Sequence, residues 1–340
     1  MRTIWTTTTF ALLTIGLQAT SLSSTPDGMN RTDWDQELSF NIPVRLLQME
    51  FPFEVEYNPE VQNQLDGYLR RGRRETERML GRTALYFPIF EYYLHANGLP
   101  EALKYIPLLE SRLRPEAESG VGAVGLWQFM PATAEHYHLQ ANDYLDERMN
   151  PFRSTEAAVK MLSQLFDDFG DWSLALAAYN CGAGRVRRAL RRTGCDNFWD
   201  IQHLLPLQTQ RYLPALIATI YTGRDYARYG LEPASHGRFQ KPFRVFKIHS
   251  TLHLADIARH CQLSPTELYR LNPGYLQEDI PFTGRAHYLI LPEKAFASFQ
   301  QYIIKESRKG GPRYAIAVLD SRSSRPSGLG SPPPPPKENS

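Results

Sequence analysis

The sequence predicts a mainly α fold followed by a small α+β module. Two observations carry this. Between residues 61 and 226 the apolar residues recur at helical spacing, punctuated by glycine, proline and asparagine. From about Gly237 the pattern changes: Phe243-Arg-Val-Phe-Lys-Ile248 alternates with period two, two short helical stretches follow, and His287-Tyr-Leu-Ile-Leu291 reads as a second strand. The 340 residues suit one or two modest domains with buried cores. A formal net charge of +2 argues against a nucleic-acid binder.

Along the chain, residues 1–21 resemble a secretory signal, with Arg2, a short apolar core at 10–17 and small residues Ala19-Thr20-Ser21. That core is too short to span a bilayer, and no cysteine lies near it to take a lipid anchor. Residues 22–57 read as a mixed leader. Val61, Leu65 and Leu69 then open an amphipathic helix whose Arg70, Arg71, Arg73 and Arg74 read as a solvated face. Helical patterns follow at 84–97, 100–113, 132–137, 155–169, 173–180 and 209–226, with Ser154 or Thr155 capping the 155–169 helix. The helical domain is expected over 58–235 and the module over 237–304. In the module, 252–260 and 264–271 are helices, the second capped by Ser264, and Asn272-Pro273-Gly274 is a turn. The tail, 305–340, carries Pro332 to Pro336 and is expected to be disordered from about 321.

The 100–113 segment carries the first candidate for chemistry. Pro100 suits a first helical turn, and Leu103, Ile106 and Glu110 fall on one face at i, i+3 and i+7. A carboxyl group aimed at an apolar face resists ionisation and suits a general acid. The competing reading is a surface ion pair between Glu110 and Arg114 at i,i+4. Next comes Ser119-Gly-Val-Gly-Ala-Val-Gly125-Leu-Trp-Gln128-Phe-Met130-Pro131. Its G-x-G-x-x-G spacing matches the dinucleotide fingerprint, but that motif needs a preceding strand and here a helix precedes it. The glycines are read as allowing a tight turn and close backbone approach by a ligand, or as a plain interhelical turn. Ala178-Tyr179-Asn180-Cys-Gly182 is the third segment. Tyr179, Trp127 and Met130 also admit a core role, and Asn180 a helix C-terminus.

Three segments in this order resemble the soluble lytic transglycosylase module of glycoside hydrolase family 23, over about 61–226 and more weakly to about 302. The resemblance implies a lysozyme-like helical bundle with a cleft between its lobes. It maps the family's single acid/base onto Glu110, the serine that helps orient the substrate onto Ser111, and cleft residues onto Gln128 and Met130. Substrate-holding residues map onto Tyr179, Asn180 and, in Thr209-Gln-Arg-Tyr212-Leu-Pro214, onto Tyr212. Two departures stand out. Gln208 replaces a usual glutamate, removing a charge near the cleft. Asn150 replaces a usual aspartate before Pro151, a swap between two good helix caps. The β-α-α-β module resembles a degenerate LysM glycan binder, best at Leu268-Tyr-Arg-Leu-Asn-Pro273; a purely structural appendage packed on the catalytic part is the alternative.

Ordinary glycosidases need two flanking carboxylates, and the three segments contain no second one; Glu116 and Glu118 follow Pro115 in a polar loop. The resemblance implies a route that needs only one. Glu110 protonates the glycosidic oxygen between N-acetylmuramic acid and N-acetylglucosamine, then accepts the proton of the muramic acid C6 hydroxyl, giving a 1,6-anhydro product. The partner so implied is the peptidoglycan glycan strand, in the periplasm. A water-using lysozyme-like hydrolase and a non-cutting wall-binding scaffold are the alternatives. No cofactor or metal is expected, since His136, His138 and the other histidines lack ligand spacing. Peripheral association with the membrane or an envelope protein, and the oligomeric state, stay open. Cys181 and Cys195 either pair across the third segment or, with Cys261, stay free.

Overall fold

The computed structural model describes residues 30–234, 243–308 and 314–315. The signal-like segment and the proline-rich tail lie outside them. In chain order the helices are α1 (Arg31–Gln36), α2 (Ile42–Leu47), α3 (Pro59–Asp66), α4 (Arg73–Ala96), α5 (Ile106–Ser111), α6 (Pro131–His136), α7 (Pro151–Phe169), α8 (Trp172–Cys181), α9 (Ala183–Thr193), α10 (Phe198–Ile201), α11 (Leu207–Gln210) and α12 (Tyr212–Asp225). Then come β1 (Phe243–Ile248), β2 (Leu252–His253), α13 (Leu254–His260), α14 (Pro265–Leu271), β3 (Asp279–Ile280), β4 (His287–Pro292), α15 (Phe296–Arg308) and β5 (Tyr314–Ala315). The mainly α body with an α+β module behind it is the expected fold class.

Two helices organise the body. α8 is apolar almost all round, and α12 is buried continuously from Tyr212 to Thr222. A helix with no polar face belongs inside a bundle. α12 packs on α3, α5 and α8, and α7 lies along α8 and α4. The elements that carry Glu110, Tyr179 and Tyr212 therefore meet at the centre of the body.

Several local expectations are corrected. The 100–113 stretch is not one helix: Pro100 precedes a 3-10 turn (Glu101–Tyr105), and α5 starts at Ile106 with Pro107 in its first turn. Proline cannot donate the hydrogen bond that a continuous helix needs. α7 is capped by Asn150, whose side chain accepts from the Phe152 and Arg153 amides. Ser154 and Thr155 instead bond back to the Asn150 and Pro151 carbonyls.

The leader is also more than a linker, since Trp34, Ile42, Leu46 and Phe53 are buried. α1 continues into α2 through a π-helical turn (Glu37–Asn41). There buried Glu37 pairs with Arg45 and accepts from the Tyr229 hydroxyl at 2.7 Å. In the arginine run, Arg71 pairs with Asp66 at 2.6 Å and Arg73 caps the carbonyls of Tyr229 and Gly230. That run is thus partly structural.

In the module β1 and β4 pair antiparallel, Phe243 opposite Pro292 through Ile248 opposite His287, and β5 adds to β1 on its other side. α13 and α14 fill the crossover, and Ser264 caps α14 as predicted. The module is packed against the body. Val245, Tyr288 and Ile290 belong to the body's apolar core, while Leu145 of the body sits in the module's core. Leu145 and Tyr275 form a β-bridge, the Asp146 amide donates to Gly274 O at 2.9 Å, and Phe152 stacks on Tyr288 with ring centroids 4.9 Å apart. Beside them Glu147, 1 % exposed, pairs with Arg285 and lies 3.6 Å from Arg153, whose guanidinium covers the Tyr288 ring.

Candidate active site

Glu110 stands in the last turn of α5. The chain then reverses through two left-handed residues, Arg112 (φ 52°) and Leu113 (φ 56°). Neither is glycine, so this corner is strained and held by its surroundings. One restraint is Ser111. Buried, its hydroxyl sits 2.9 Å from Pro107 O and 3.0 Å from Leu126 O, tying α5 to the glycine-rich loop. Ser111 thus faces backbone and acts as a positioning residue for the turn that carries Glu110.

The Glu110 carboxyl is half-buried and accepts a 2.6 Å hydrogen bond from the Tyr212 hydroxyl at the start of α12. It makes no ion pair with Arg114 among the described residues, so the surface-pair reading is set aside. Burial outweighs the Tyr212 hydrogen bond and pushes the carboxyl up to about 7. The proton is therefore held near neutral pH and can still be given up. Tyr212 and Tyr179 are themselves held well above the usual tyrosine range, first by burial and then by the nearby Glu110 charge. Both rings thus stand beside the carboxyl as neutral phenols. The Tyr179 hydroxyl donates to Trp127 O at 2.7 Å, spanning from α8 to the loop.

The loop is a folded tongue, with bridges Glu118 to Val124 and Val124 to Phe129. Gly125 has φ +91°, and a Cβ there would lie 1.9 Å from Arg148 O. The close approach that demands glycine is made by the protein's own backbone, which corrects the expectation that a ligand requires it. Gln128, at φ 52°, uses its side-chain amide to bond Ala117 O at 3.1 Å and Gly125 O at 2.9 Å. Trp127 is core: its indole donates to Thr155 at 2.9 Å and its ring meets Phe90 edge-on. Met130 is 41 % exposed at the tongue's end. Asn180 accepts from the Thr209 hydroxyl at 2.8 Å. Sequence reasoning misses Thr209 as a site residue, although it opens the same short segment that supplies Tyr212.

Four of the predicted residues are thus linked around one carboxyl. Glu110, Tyr212 and Tyr179 stand side by side, and Ser111 braces the turn. Asn180 follows Tyr179 on the same helix end, while Gln128 and Met130 belong to the tongue. Gln208 is exposed on α11, as are Glu116 and Glu118 in the polar loop. All three cysteines are free, so the Cys181–Cys195 pairing does not occur.

Residues 87–202 match the family model described as Transglycosylase SLT domain, and residues 243–303 match the LysM-like domain of lytic transglycosylase MltD. The two matches follow one another along the chain, the first within the helical body and the second on the C-terminal module. Among curated proteins it is similar to membrane-bound lytic murein transglycosylase D of Escherichia coli strain K12. The two are 32% identical over 203 residues, covering 58% of this chain and 44% of that protein. The chain thus spans under half the length of that relative. It is also similar to the soluble lytic murein transglycosylase of the same strain, 31% identical over 108 residues, 30% of this chain and 17% of the other. Among solved structures, the 70-kDa soluble lytic transglycosylase SLT70 from Escherichia coli aligns over 60% of this chain and 47% of its own. Its TM-score is 0.37 at 18% identity.

Proposed function

We propose that this protein is a peptidoglycan lytic transglycosylase, a carbon–oxygen lyase that cuts the β-1,4 bond between N-acetylmuramic acid and N-acetylglucosamine. The observation that carries this reading is the single carboxyl of Glu110, lifted to about 7 beside the Tyr212 hydroxyl. In its protonated form Glu110 delivers the proton to the glycosidic oxygen as the bond to the muramic acid C1 breaks. The resulting carboxylate then takes the proton of the C6 hydroxyl as that oxygen closes onto C1. Water is neither consumed nor required, and the carboxyl ends protonated again. Positive charge that develops on the sugar ring is met by the ionised form of Glu110 in a site where low polarity strengthens the attraction.

Tyr212 holds the carboxyl in place. Tyr179 and Asn180, with Met130 at the tongue's end, would line the sugar-binding surface. Gln128 and Ser111 would act through the backbone that they brace. With a peptidoglycan substrate, the protein would work in the periplasm. No described helix is long and apolar enough to cross a membrane.

The test is mass spectrometry of the sugars released from isolated peptidoglycan by the purified protein. Products one water lighter than hydrolysed muropeptides, without reducing muramic acid ends, are expected. Reducing ends would mean a hydrolase, which would need a second carboxylate opposite Glu110. No released sugar, with sacculus binding intact, would leave a wall-binding scaffold.

A further inference from the structure

A groove of about 730 Å³ lies between the body and the module. From the body it is lined by Arg82 and Tyr86 of α4 and by the segment Leu113 to Glu116, which begins three residues after Glu110. From the module it is lined by Tyr269 and Arg270 of α14, the Tyr-Arg of the stretch that best resembles a LysM glycan binder. Neither unit forms this groove alone.

Its charge is unbalanced. Arg82, Arg114 and Arg270 face a single lining carboxylate, Glu116. Arg82 keeps only 16 % of its side chain exposed, and among the described residues its ion-pair contact is Glu75 at 4.0 Å. Its guanidinium otherwise donates to Arg112 O at 3.1 Å, at the strained corner that follows Glu110 in the chain. Arg114 and Arg270 are exposed and make no ion pair among the described residues. A partly dehydrated cation with a distant counter-charge gains most from an added anion. The half-buried Tyr269 and the pyrrolidine faces of Pro115, Pro265 and Pro273 give the groove an apolar floor. An extended acidic peptide fits this pairing of cations and apolar surface better than a neutral sugar does.

We infer that this inter-unit groove binds the carboxylate-bearing peptide stem of a glycan strand held at Glu110. The inference rests on the reading of the Glu110 site as a glycan-cutting one. The chain reaches Arg114 within about 15 Å of Glu110, since four peptide units span at most that much. A stem hanging from a sugar near the cut is therefore within reach. The module would then contribute to substrate choice through Arg270 while remaining fixed to the body.

The test compares Arg114→Glu and Arg270→Glu with the parent, both as full chains. Two substrates are used: glycan strands with their peptide stems, and the same strands stripped of stems by an amidase. Each charge reversal is expected to raise KM for stem-bearing strands about five- to tenfold, with kcat unchanged and the stripped strands cut as before. Equal effects on both substrates, or none on either, would overturn the inference while leaving the transglycosylase reading intact. Calorimetric titration with a purified disaccharide–tetrapeptide gives a second readout that needs no turnover. Weaker binding by Arg270→Glu supports the groove even if the parent cuts nothing, an outcome that would sink the enzymatic reading alone. Binding that is indifferent to both reversals would overturn the groove.

Discussion

At the scale of single residues, the proposed chemistry rests on one carboxyl and its neighbours. Replacing Glu110 by glutamine keeps the shape and removes the transferable proton. Turnover of peptidoglycan is expected to fall by about two to four orders of magnitude, the usual contribution of a positioned acid–base; near-normal turnover would remove Glu110 from the mechanism. The same variant has a thermodynamic signature. Burial favours the protonated form, with a folded-state value of about 7 against an ordinary 4.5. The stability linked to that form is complete below pH 4.5 and is lost as pH rises through 7. Glutamine stays neutral throughout. Glu110→Gln is therefore expected to melt higher than the parent at pH 8, by up to about 3 kcal/mol at about 1.4 kcal/mol per pH unit of displacement. The difference should close by pH 4.5, a trend that thermal melts at several pH values would check.

Tyr212→Phe acts in the opposite sense on the acid. Its hydroxyl donates to the carboxylate and so favours ionisation. Without it the Glu110 value rises, and the alkaline limb of the pH–rate profile should move to higher pH while the maximum falls by roughly tenfold. An unmoved limb would mean that Glu110 does not set it.

At the scale of elements, the tongue between α5 and α6 depends on backbone geometry more than on its side chains. Gly125→Ala would push a Cβ to 1.9 Å from the Arg148 carbonyl at a φ of +91°. Left-handed strain alone costs roughly 1–3 kcal/mol, and the collision adds to it. The variant is expected to lose several degrees of melting temperature and most of its activity, since the tongue anchors Tyr179 through Trp127 O. A Cβ at Gly120 would meet no atom within 4 Å, and the φ there is ordinary, so Gly120→Ala serves as the near-neutral control. The helices that hold this site were legible where their pattern was strong. The apolar runs of α7, α8 and α12 were found within a few residues. α10 was not, because four residues carry too little periodic signal, and the amphipathic α9 and α15 were also not among the expected helices.

At the scale of the whole molecule, the module is part of one packed body with the helical bundle. Glu147 is the centre of that junction, with Arg285 and Arg153 around it. Glu147→Ala would leave the Arg285 guanidinium without its anion and Arg153 with Glu156 alone, 3.6 Å away. The expected cost is about 2 kcal/mol, below the roughly 3–5 of a fully buried pair because Arg285 keeps 32 % of its side chain exposed. Differential scanning calorimetry checks it, and a single shifted transition is expected because the two apolar cores interlock at Val245 and Leu145. For the same reason, removing residues 243–340 should strip cover from Phe152 and Glu147 and destabilise the helical body itself. A truncated body that melts as the full chain does would refute the shared core.

The sequence by itself determined the fold class, the two strands of the module, the Ser264 cap and the three segments that converge on Glu110. These depend on local periodicity, capping and residue type, which neighbours in sequence supply. Only the tertiary structure decided what Glu110 bonds to, why Gly125 must be glycine, that Ser111 and Gln128 face backbone, and that the leader and module share the core. Tyr212 lies 102 residues from Glu110 and Arg148 lies 23 from Gly125. No spacing along one helix or strand can specify such pairs, because they are set by how whole elements pack.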